Sequence, residues 1–155
     1  MARWSEIEAQ APDLAALARR FFDAFTHKTI ATVRGDGSPR ISGTELDFSD
    51  GDAWVGSMWE ARKALDLRRD PRFALHSGSA DPPGWDGDAK IAGRALEVDD
   101  PGVKARRNHA DEQTGPWHLF RLDIAELVVV GLNDARDKLV IRSWHEGRGE
   151  SRLER

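Results

Sequence analysis

Two basic residues at the start of a predicted helix suggest an anion-binding site. The segment GSMWEARKALDLRRDP (56–71) predicts a helix over Trp59–Arg69, with Arg62 and Lys63 in its first turn. The N-terminal end of a helix carries a partial positive charge and unpaired N–H groups, so acidic side chains are preferred there. With the hydroxyl of Ser57 just upstream, two cations and free N–H groups form a donor set suited to a phosphate. The alternative is a solvated amphipathic helix with surface arginines.

A second candidate segment is RISGT, which comprises Arg40, Ile41, Ser42, Gly43 and Thr44. In one interpretation it is an ordinary strand in which Gly43 marks a bulge. In the other, Gly43 lets a flat ligand approach the backbone closely and Arg40 supplies another cation. The residues alone leave both interpretations open.

Other kinds of chemistry have little support in the sequence. The histidines His27, His76, His109, His118 and His145 include no pair at helical metal-site spacing, and there is no cysteine, so we expect no metal site. The glycines of GDGSPR lack the spacing of nucleotide-binding loops and lead into a strand. No serine–histidine–aspartate arrangement stands out, and the catalytic residues remain unassigned.

Composition narrows the class of protein. The chain has 155 residues, a net charge of -4 and 39% hydrophobic residues. A net negative charge argues against a nucleic-acid binder that relies on broad phosphate neutralisation. No stretch approaches the roughly 20 apolar residues of a membrane span, and no signal-peptide pattern is present. With no cysteine, these features predict a soluble cytoplasmic protein without a membrane or nucleic-acid partner.

The order of elements predicts a mainly β, α+β fold. We expect one domain over 1–155, with a helical segment at 1–26, a helix over 59–69 and another from Asp100 to His109. Strands are expected at 29–33, 40–48, 53–57, 72–77, 89–98, 119–132 and 138–145, followed by a polar tail at 146–155. Hairpin connections imply antiparallel pairing, so a small barrel with peripheral helices fits better than a βαβ fold.

This arrangement resembles the pyridoxamine 5'-phosphate oxidase-like family of flavin-binding split barrels. The strongest match is Arg62-Lys63 followed by an apolar helix and Asp70-Pro71-Arg72. In the family, a Ser-Arg-Lys motif at this place binds the flavin phosphate. The similarity extends from Thr29 to about Ala95, and LFRLDIAELVVVGL and LVIRSWHEGRG resemble the closing strands of actinobacterial members. The resemblance implies an antiparallel split β-barrel of about six to seven strands with peripheral helices.

The resemblance also implies roles for the candidate residues. Arg62 and Lys63 would hold the phosphate of FMN, and Gly56 and Ser57 would contact the phosphate and the ribityl chain. The Arg40–Thr44 strand would pass along the isoalloxazine ring, with Ser42 and Gly43 near it. Members of the family bind the flavin at a homodimer interface, so a tryptophan of the second subunit could reach the site. The candidates are Trp59, Trp85, Trp117 and Trp144.

Departures from the family pattern concern the substrate and part of the cofactor site. The expected serine before Arg-Lys is Ala61, an expected lysine is Glu45, and the glutamine of the oxidases is Asp88. The substrate-binding residues of true pyridoxamine phosphate oxidases are not recognisable in RGESRLER. We therefore expect a substrate other than a vitamin B6 phosphate.

Three classes of function remain in view. The first is an FMN-dependent oxidoreductase that transfers hydride to or from a small substrate, or a reductase of the same fold that uses a deazaflavin coenzyme. The second is a non-catalytic flavin-binding or carrier protein. The third is a small all-β interaction module, for which Lys63→Ala would leave ligand binding unchanged.

Overall fold

The computed structural model describes residues 1–107 and 115–155 and consists mainly of antiparallel strands. Four helices lie in the described part: α1 (Trp4–Gln10), α2 (Pro12–Asp23), α3 (Arg62–Arg69) and α4 (Pro101–Arg107). The nine strands described there are β1 (Lys28–Val33), β2 (Pro39–Thr44), β3 (Asp47–Ser49), β4 (Asp52–Met58), β5 (Arg72–His76), β6 (Gly87–Glu97), β7 (Trp117–Leu132), β8 (Leu139–His145) and β9 (Gly149–Glu154). The predicted end of α4 at His109 lies outside the described residues.

The strands form one sheet in which β7 is shared by two groups of strands. The order is β2-β1-β5-β6-β7-β4-β3, and β8 pairs with β7 and with β9. Along one edge β7 pairs with β6, while its other edge pairs first with β4 and then with β8. Because β4 and β8 leave the same edge of one long strand, the sheet divides there, as a split barrel requires. The predicted antiparallel α+β architecture is confirmed.

A β-bulge accompanies this change of partners. The register between β6 and β7 shifts between Ala92 and Gly93. A Cβ at Gly93 would lie 2.0 Å from the carbonyl oxygen of Asp123, so no other residue fits without moving the backbone. The bulge bends the sheet at the point where β4 gives way to β8.

The core lies inside the curved sheet and is closed by α1 and α2. Pro12 begins α2 at a position where a missing N–H costs nothing. The side chains of Leu14, Ala18 and Phe22, which recur at helical spacing, are fully buried. They pack against the inward residues of the strands, including Ile30. Phe25 lies beyond the end of α2 and is exposed.

The strand count exceeds the six or seven expected, for two reasons. The stretch predicted as one strand over 40–48 is divided, because β2 ends at Thr44 and β3 begins at Asp47 to pair with β4. The polar tail also contains β9, which folds back on β8 through a turn with left-handed glycines at Gly147 and Gly149. Across this hairpin, Arg142 is paired with Glu150 and Ser143 with Ser151.

In the described part of the chain, no helix combines the length and the apolar character needed to cross a membrane.

Candidate functional site

Helix α3 begins at Arg62, three residues later than predicted, because the preceding backbone is not helical. Glu60 adopts a left-handed conformation with φ of 55°, and Ala61 is extended with ψ of 138°. Ala61 occupies the N-cap position, where it offers no side-chain acceptor to the helix N–H groups. The predicted placement of Arg62 and Lys63 in the first turn is confirmed, and they are the first two residues of the helix.

A buried histidine holds the turn before α3. The N–H of Glu60 donates to Nε2 of His118 at 3.2 Å, and Nδ1 of His118 lies 2.6 Å from a carboxylate oxygen of Glu97. These partners fix the ring with its proton on Nδ1 and an acceptor at Nε2. The indole of Trp59 stacks on the imidazole at 4.7 Å with an interplanar angle of 5°. His118, which the sequence did not single out, therefore positions the start of α3.

Several donors at the start of α3 and at the end of β4 have no acceptor in the part of the chain that the structure describes. Arg62 is exposed and has no ion pair or hydrogen bond within residues 1–107 and 115–155. The backbone N–H groups of Arg62 and Lys63 likewise find no acceptor there, since the first capping bonds come from Ala64 and Leu65 to Ala61. The hydroxyl of Ser57 is buried and also lacks a partner among the described residues. A buried hydroxyl without a partner costs about 1–3 kcal/mol, and an anion oxygen would remove that cost.

Lys63 connects α3 to β2. Its Nζ donates to the carbonyl oxygen of Gly43 at 2.7 Å, which places the RISGT strand beside the helix start. Burial lowers the pKa of Lys63, and the nearby carboxylate of Glu45 partly opposes this effect. A bound anion would act in the same direction as Glu45 and favour the charged amine.

The five residues of RISGT do not share one face of the sheet. Ile41 and Gly43 lie on the outward face, and Ile41 is 74% exposed. A Cβ at Gly43 would meet nothing within 4 Å, so the packing of the chain does not require glycine here. Arg40, Ser42 and Thr44 alternate to the other face. Only the outward face of the strand is open to a flat ligand.

Arg40 is engaged by a carboxylate from α3. Its Nε donates to Oδ2 of Asp66 at 2.6 Å, and Asp66 is 3% exposed. The hydroxyl of Thr32 and the guanidinium of Arg69 donate to the same carboxylate at 2.9 Å and 3.0 Å. This Asp66 cluster ties α3 to β1 and β2, and it neutralises the cation that the sequence suggested for a ligand.

The Asp66 cluster predicts acid sensitivity. Burial alone would raise the pKa of Asp66, but the hydrogen bonds from Arg40, Arg69 and Thr32 outweigh burial and hold it below its ordinary value. Asp70, paired with Arg72, has its pKa lowered to about 2. A carboxyl group whose pKa is lower in the folded chain stabilises the fold above its unfolded value and loses that contribution as the pH falls through the folded value.

We therefore expect the free energy of unfolding to decrease as the pH drops below about 4, the ordinary aspartate range. Urea unfolding at a series of pH values measures this, and the ¹³C chemical shift of the Asp66 carboxyl should titrate below that range. Titration of Asp66 above its ordinary range would show that burial, rather than hydrogen bonding, dominates its environment.

The four tryptophans proposed to reach the site of a second subunit differ in their solvent exposure. Trp59 is 52% exposed, and Trp85 and Trp117 are partly exposed. The ring of Trp117 lies over Gly56, since a Cβ there would be 3.6 Å from it. Trp144 is 1% exposed and its indole N–H donates to Gln10 at 3.1 Å. Trp144 belongs to the core of its own chain, so the suggestion that it reaches a second subunit is wrong.

The described residues contain no group of three or more metal-ligating side chains. The histidines have other surroundings: His118 supports the turn before α3, His145 lies 3.5 Å from Glu126, and His76 faces Asp88. His109 lies outside the described residues.

Comparison with known proteins identifies the fold to which this sheet arrangement belongs. No family model and no curated protein matches the sequence. The structure of PhzG from Burkholderia lata 383, in complex with tetrahydrophenazine-1-carboxylic acid, matches with a TM-score of 0.66 at 12% identity, over 97% of this chain and 95% of that chain. A pyridoxamine 5'-phosphate oxidase-related, FMN binding protein from Nostoc punctiforme PCC 73102 matches with a TM-score of 0.63 at 13% identity, over 90% and 93%. The chain has the split-barrel fold of pyridoxamine 5'-phosphate oxidase-like proteins.

The split-barrel fold confirms the resemblance predicted from the sequence. A heme binding protein from Mycobacterium smegmatis has the same fold, with a TM-score of 0.63 at 15% identity over 93% of this chain and 88% of that chain. Proteins of this fold thus differ in the ligand for which they are named. The function of this split barrel must be argued from its own residues.

Proposed function

We propose that this split barrel binds FMN and is an oxidoreductase that transfers hydride to or from a small substrate. The observation that carries the proposal is a set of donors without an acceptor among the described residues: Arg62, the two N–H groups that begin α3 and the buried hydroxyl of Ser57. Donors of this kind are suited to a phosphate. The FMN binding protein from Nostoc punctiforme, which shares the fold, supports a flavin as the carrier of that phosphate.

Different residues of the chain would contact different parts of the cofactor. Arg62 and Lys63 would hold the phosphate, and Ser57 would donate to one of its oxygens. The open backbone at Gly43, joined to Lys63 by a hydrogen bond, would let the ring system lie on the outward face of the sheet. A bound flavin supplies hydride transfer itself, so the protein's task is binding, orientation and electrostatics.

We propose further that two copies enclose the cofactor. Three large apolar side chains are exposed in one chain: Ile41 on the outward face of β2 is 74% exposed, Met58 at the end of β4 is 73% exposed, and Trp59 in the turn that follows is 52% exposed. Next to Ile41 the strand register brings Ala31 and Ala74 into the same row, and these small side chains leave the face flat. An apolar, flat surface of this kind fits a second copy, which would cover a ring lying on Gly43.

Two related functions share this site. A deazaflavin coenzyme also carries a phosphate, and a non-catalytic carrier would need the same donors without turnover. Anaerobic addition of NAD(P)H to the FMN-loaded protein should bleach the flavin absorbance if it is an NAD(P)H-dependent enzyme. Turnover only with reduced deazaflavin would favour the coenzyme alternative, and the lack of any reduction or turnover would favour a carrier.

We place the protein in the cytoplasm, in keeping with a chain that contains no cysteine.

A further inference from the structure

Strand β9 leaves one edge of the sheet open. It pairs with β8 on one side and with no strand on the other within residues 1–107 and 115–155. All of its residues except the first are exposed. Leu139 and Arg155 exchange two backbone hydrogen bonds across the hairpin, at 2.8 Å and 2.9 Å. Because such bonds alternate along an antiparallel ladder, the N–H and C=O groups of Glu150, Arg152 and Glu154 point to the open edge.

The charges along this open edge alternate in sign. Charged side chains on an edge strand commonly prevent it from pairing with another chain. Here, however, the residues that face the edge are Glu150, Arg152 and Glu154. A second copy of β9, lying antiparallel with Ser151 opposite Ser151, would place Glu150 of each copy opposite Arg152 of the other. Since opposite charges across two strands stabilise a sheet, the edge of β9 is complementary to itself.

The charges also distinguish this register from its neighbours. The open N–H and C=O groups meet only when one strand shifts by two residues at a time. One such shift puts Arg152 opposite Arg152, and the opposite shift puts Glu150 opposite Glu150, so both bring like charges together. A longer shift matches Arg152 with Glu154 but pairs only residues 152–154. The Ser151 register combines matched charges with pairing over residues 149–153.

The same register covers an exposed apolar side chain. Leu153 pairs with Ile141 of β8 and is 45% exposed. In the Ser151 register it lies opposite Gly149 of the second copy. A Cβ at Gly149 would meet nothing within 4 Å, so the space beside this glycine is open to the leucine. Removing the leucine side chain from water favours the pairing.

We propose that β9 pairs with β9 of a second copy of this chain, antiparallel and with the two Ser151 residues opposite each other. Glu150 of each copy would exchange backbone hydrogen bonds with Arg152 of the other, around a two-fold axis. The ion pairs within each copy, from Arg142 to Glu150 and from Arg152 to Glu154, are compatible with this contact because a guanidinium has several N–H groups. The contact uses a sheet edge rather than the outward face, and it does not depend on the flavin function.

A single introduced thiol tests this contact, because the chain contains no cysteine. Opposite residues of a non-hydrogen-bonded pair have Cα atoms about 4.5 Å apart, within the range of a disulfide. Under mild oxidation with oxidised glutathione, Ser151→Cys should therefore form a covalent dimer, which a non-reducing gel detects. Leu153→Cys is the matched control on the same strand, because the two copies of residue 153 would lie about 13 Å apart. We expect it to cross-link about tenfold more slowly.

Two opposite substitutions, made without the cysteine, test the charge match. Glu150→Arg alone and Arg152→Glu alone each place like charges opposite one another, so each variant should self-associate through this edge about tenfold less tightly than the wild type. A mixture of the two variants restores opposite charges at both places, and mixing leaves the contacts within each chain unchanged. Native mass spectrometry should then find mixed pairs in excess of the random proportion.

Three results would overturn the contact. One is the absence of cross-linking in Ser151→Cys, which would leave the edge to solvent or to a different protein. The second is cross-linking of Leu153→Cys as fast as that of Ser151→Cys, since the strands would then have no preferred register. The third is random pairing in the mixture of Glu150→Arg and Arg152→Glu. None of these measurements involves FMN, so failure of this contact and failure of the proposed function are separate observations.

Discussion

Replacing Arg62 and Lys63 together with alanine should weaken FMN binding by about 3 kcal/mol or more, which is over 100-fold in the dissociation constant. Each lost charge-assisted hydrogen bond to the phosphate contributes about half of this loss. Isothermal titration with FMN measures the effect, and stabilisation of the protein by FMN against thermal unfolding should disappear in the double variant.

The apo protein should tolerate the double change. Arg62 makes no ion pair or hydrogen bond within the described residues, and Lys63 gives up one bond to Gly43, worth about 1 kcal/mol. Lys138→Ala with Arg148→Ala is the matched control, because both side chains are exposed cations in the turns that flank β8 and the net charge changes equally. Full FMN affinity in Arg62→Ala/Lys63→Ala, or an equal loss in the control, would refute the phosphate site.

The second large effect is on stability. Asp66→Ala should lower the free energy of unfolding by about 3–5 kcal/mol, because it leaves the half-buried Arg40 without its carboxylate and disconnects α3 from β1 and β2. Urea unfolding with linear extrapolation measures this change. Thr32→Val, which removes only one neutral donor from the cluster, should cost about 1 kcal/mol.

The exposed Asp134 offers the control for this prediction, since Asp134→Ala should remain within about 0.5 kcal/mol of the wild type. If Asp66→Ala lowers the free energy of unfolding by less than about 1 kcal/mol, the cluster contributes no more than ordinary surface ion pairs do. The result bears on the site because the cluster sets the position of α3 relative to the strand that carries Gly43.

The sequence predicted those parts of the fold whose signals are local. The β-branched alternation from Thr29 to Val33 identified β1, and Pro12 with an apolar helical face identified α2. The sequence also predicted that Arg62 and Lys63 lie at a helix start, because the helical spacing of apolar residues and the helix-ending Pro71 set the limits of the helix. The exact start of α3 was not readable. It depends on the left-handed Glu60 and on the bond from its N–H to His118, which is 58 residues away in the chain.

The other differences between the predictions and the structure also arise because the interacting residues are far apart in the sequence. Arg40 seemed free to bind a ligand because its carboxylate, on Asp66, lies 26 residues away. The stretch containing β9 looked like a tail because its residues are polar, and its pairing with β8 emerges only when Arg142 and Glu150 are side by side. His76 and Asp88 were noticed separately, and only the register of β5 and β6 brings them together.

The central claim is that the start of α3 binds the phosphate of a flavin, and a paired titration tests it most directly. Purified protein, freed of any bound ligand, is titrated with FMN and with riboflavin, which has the same ring but no phosphate, and flavin fluorescence is followed. We predict saturable binding of FMN and an affinity for riboflavin lower by about 3 kcal/mol or more. Equal affinities for FMN and riboflavin, or no binding of FMN, would contradict the claim that the start of α3 binds the flavin phosphate.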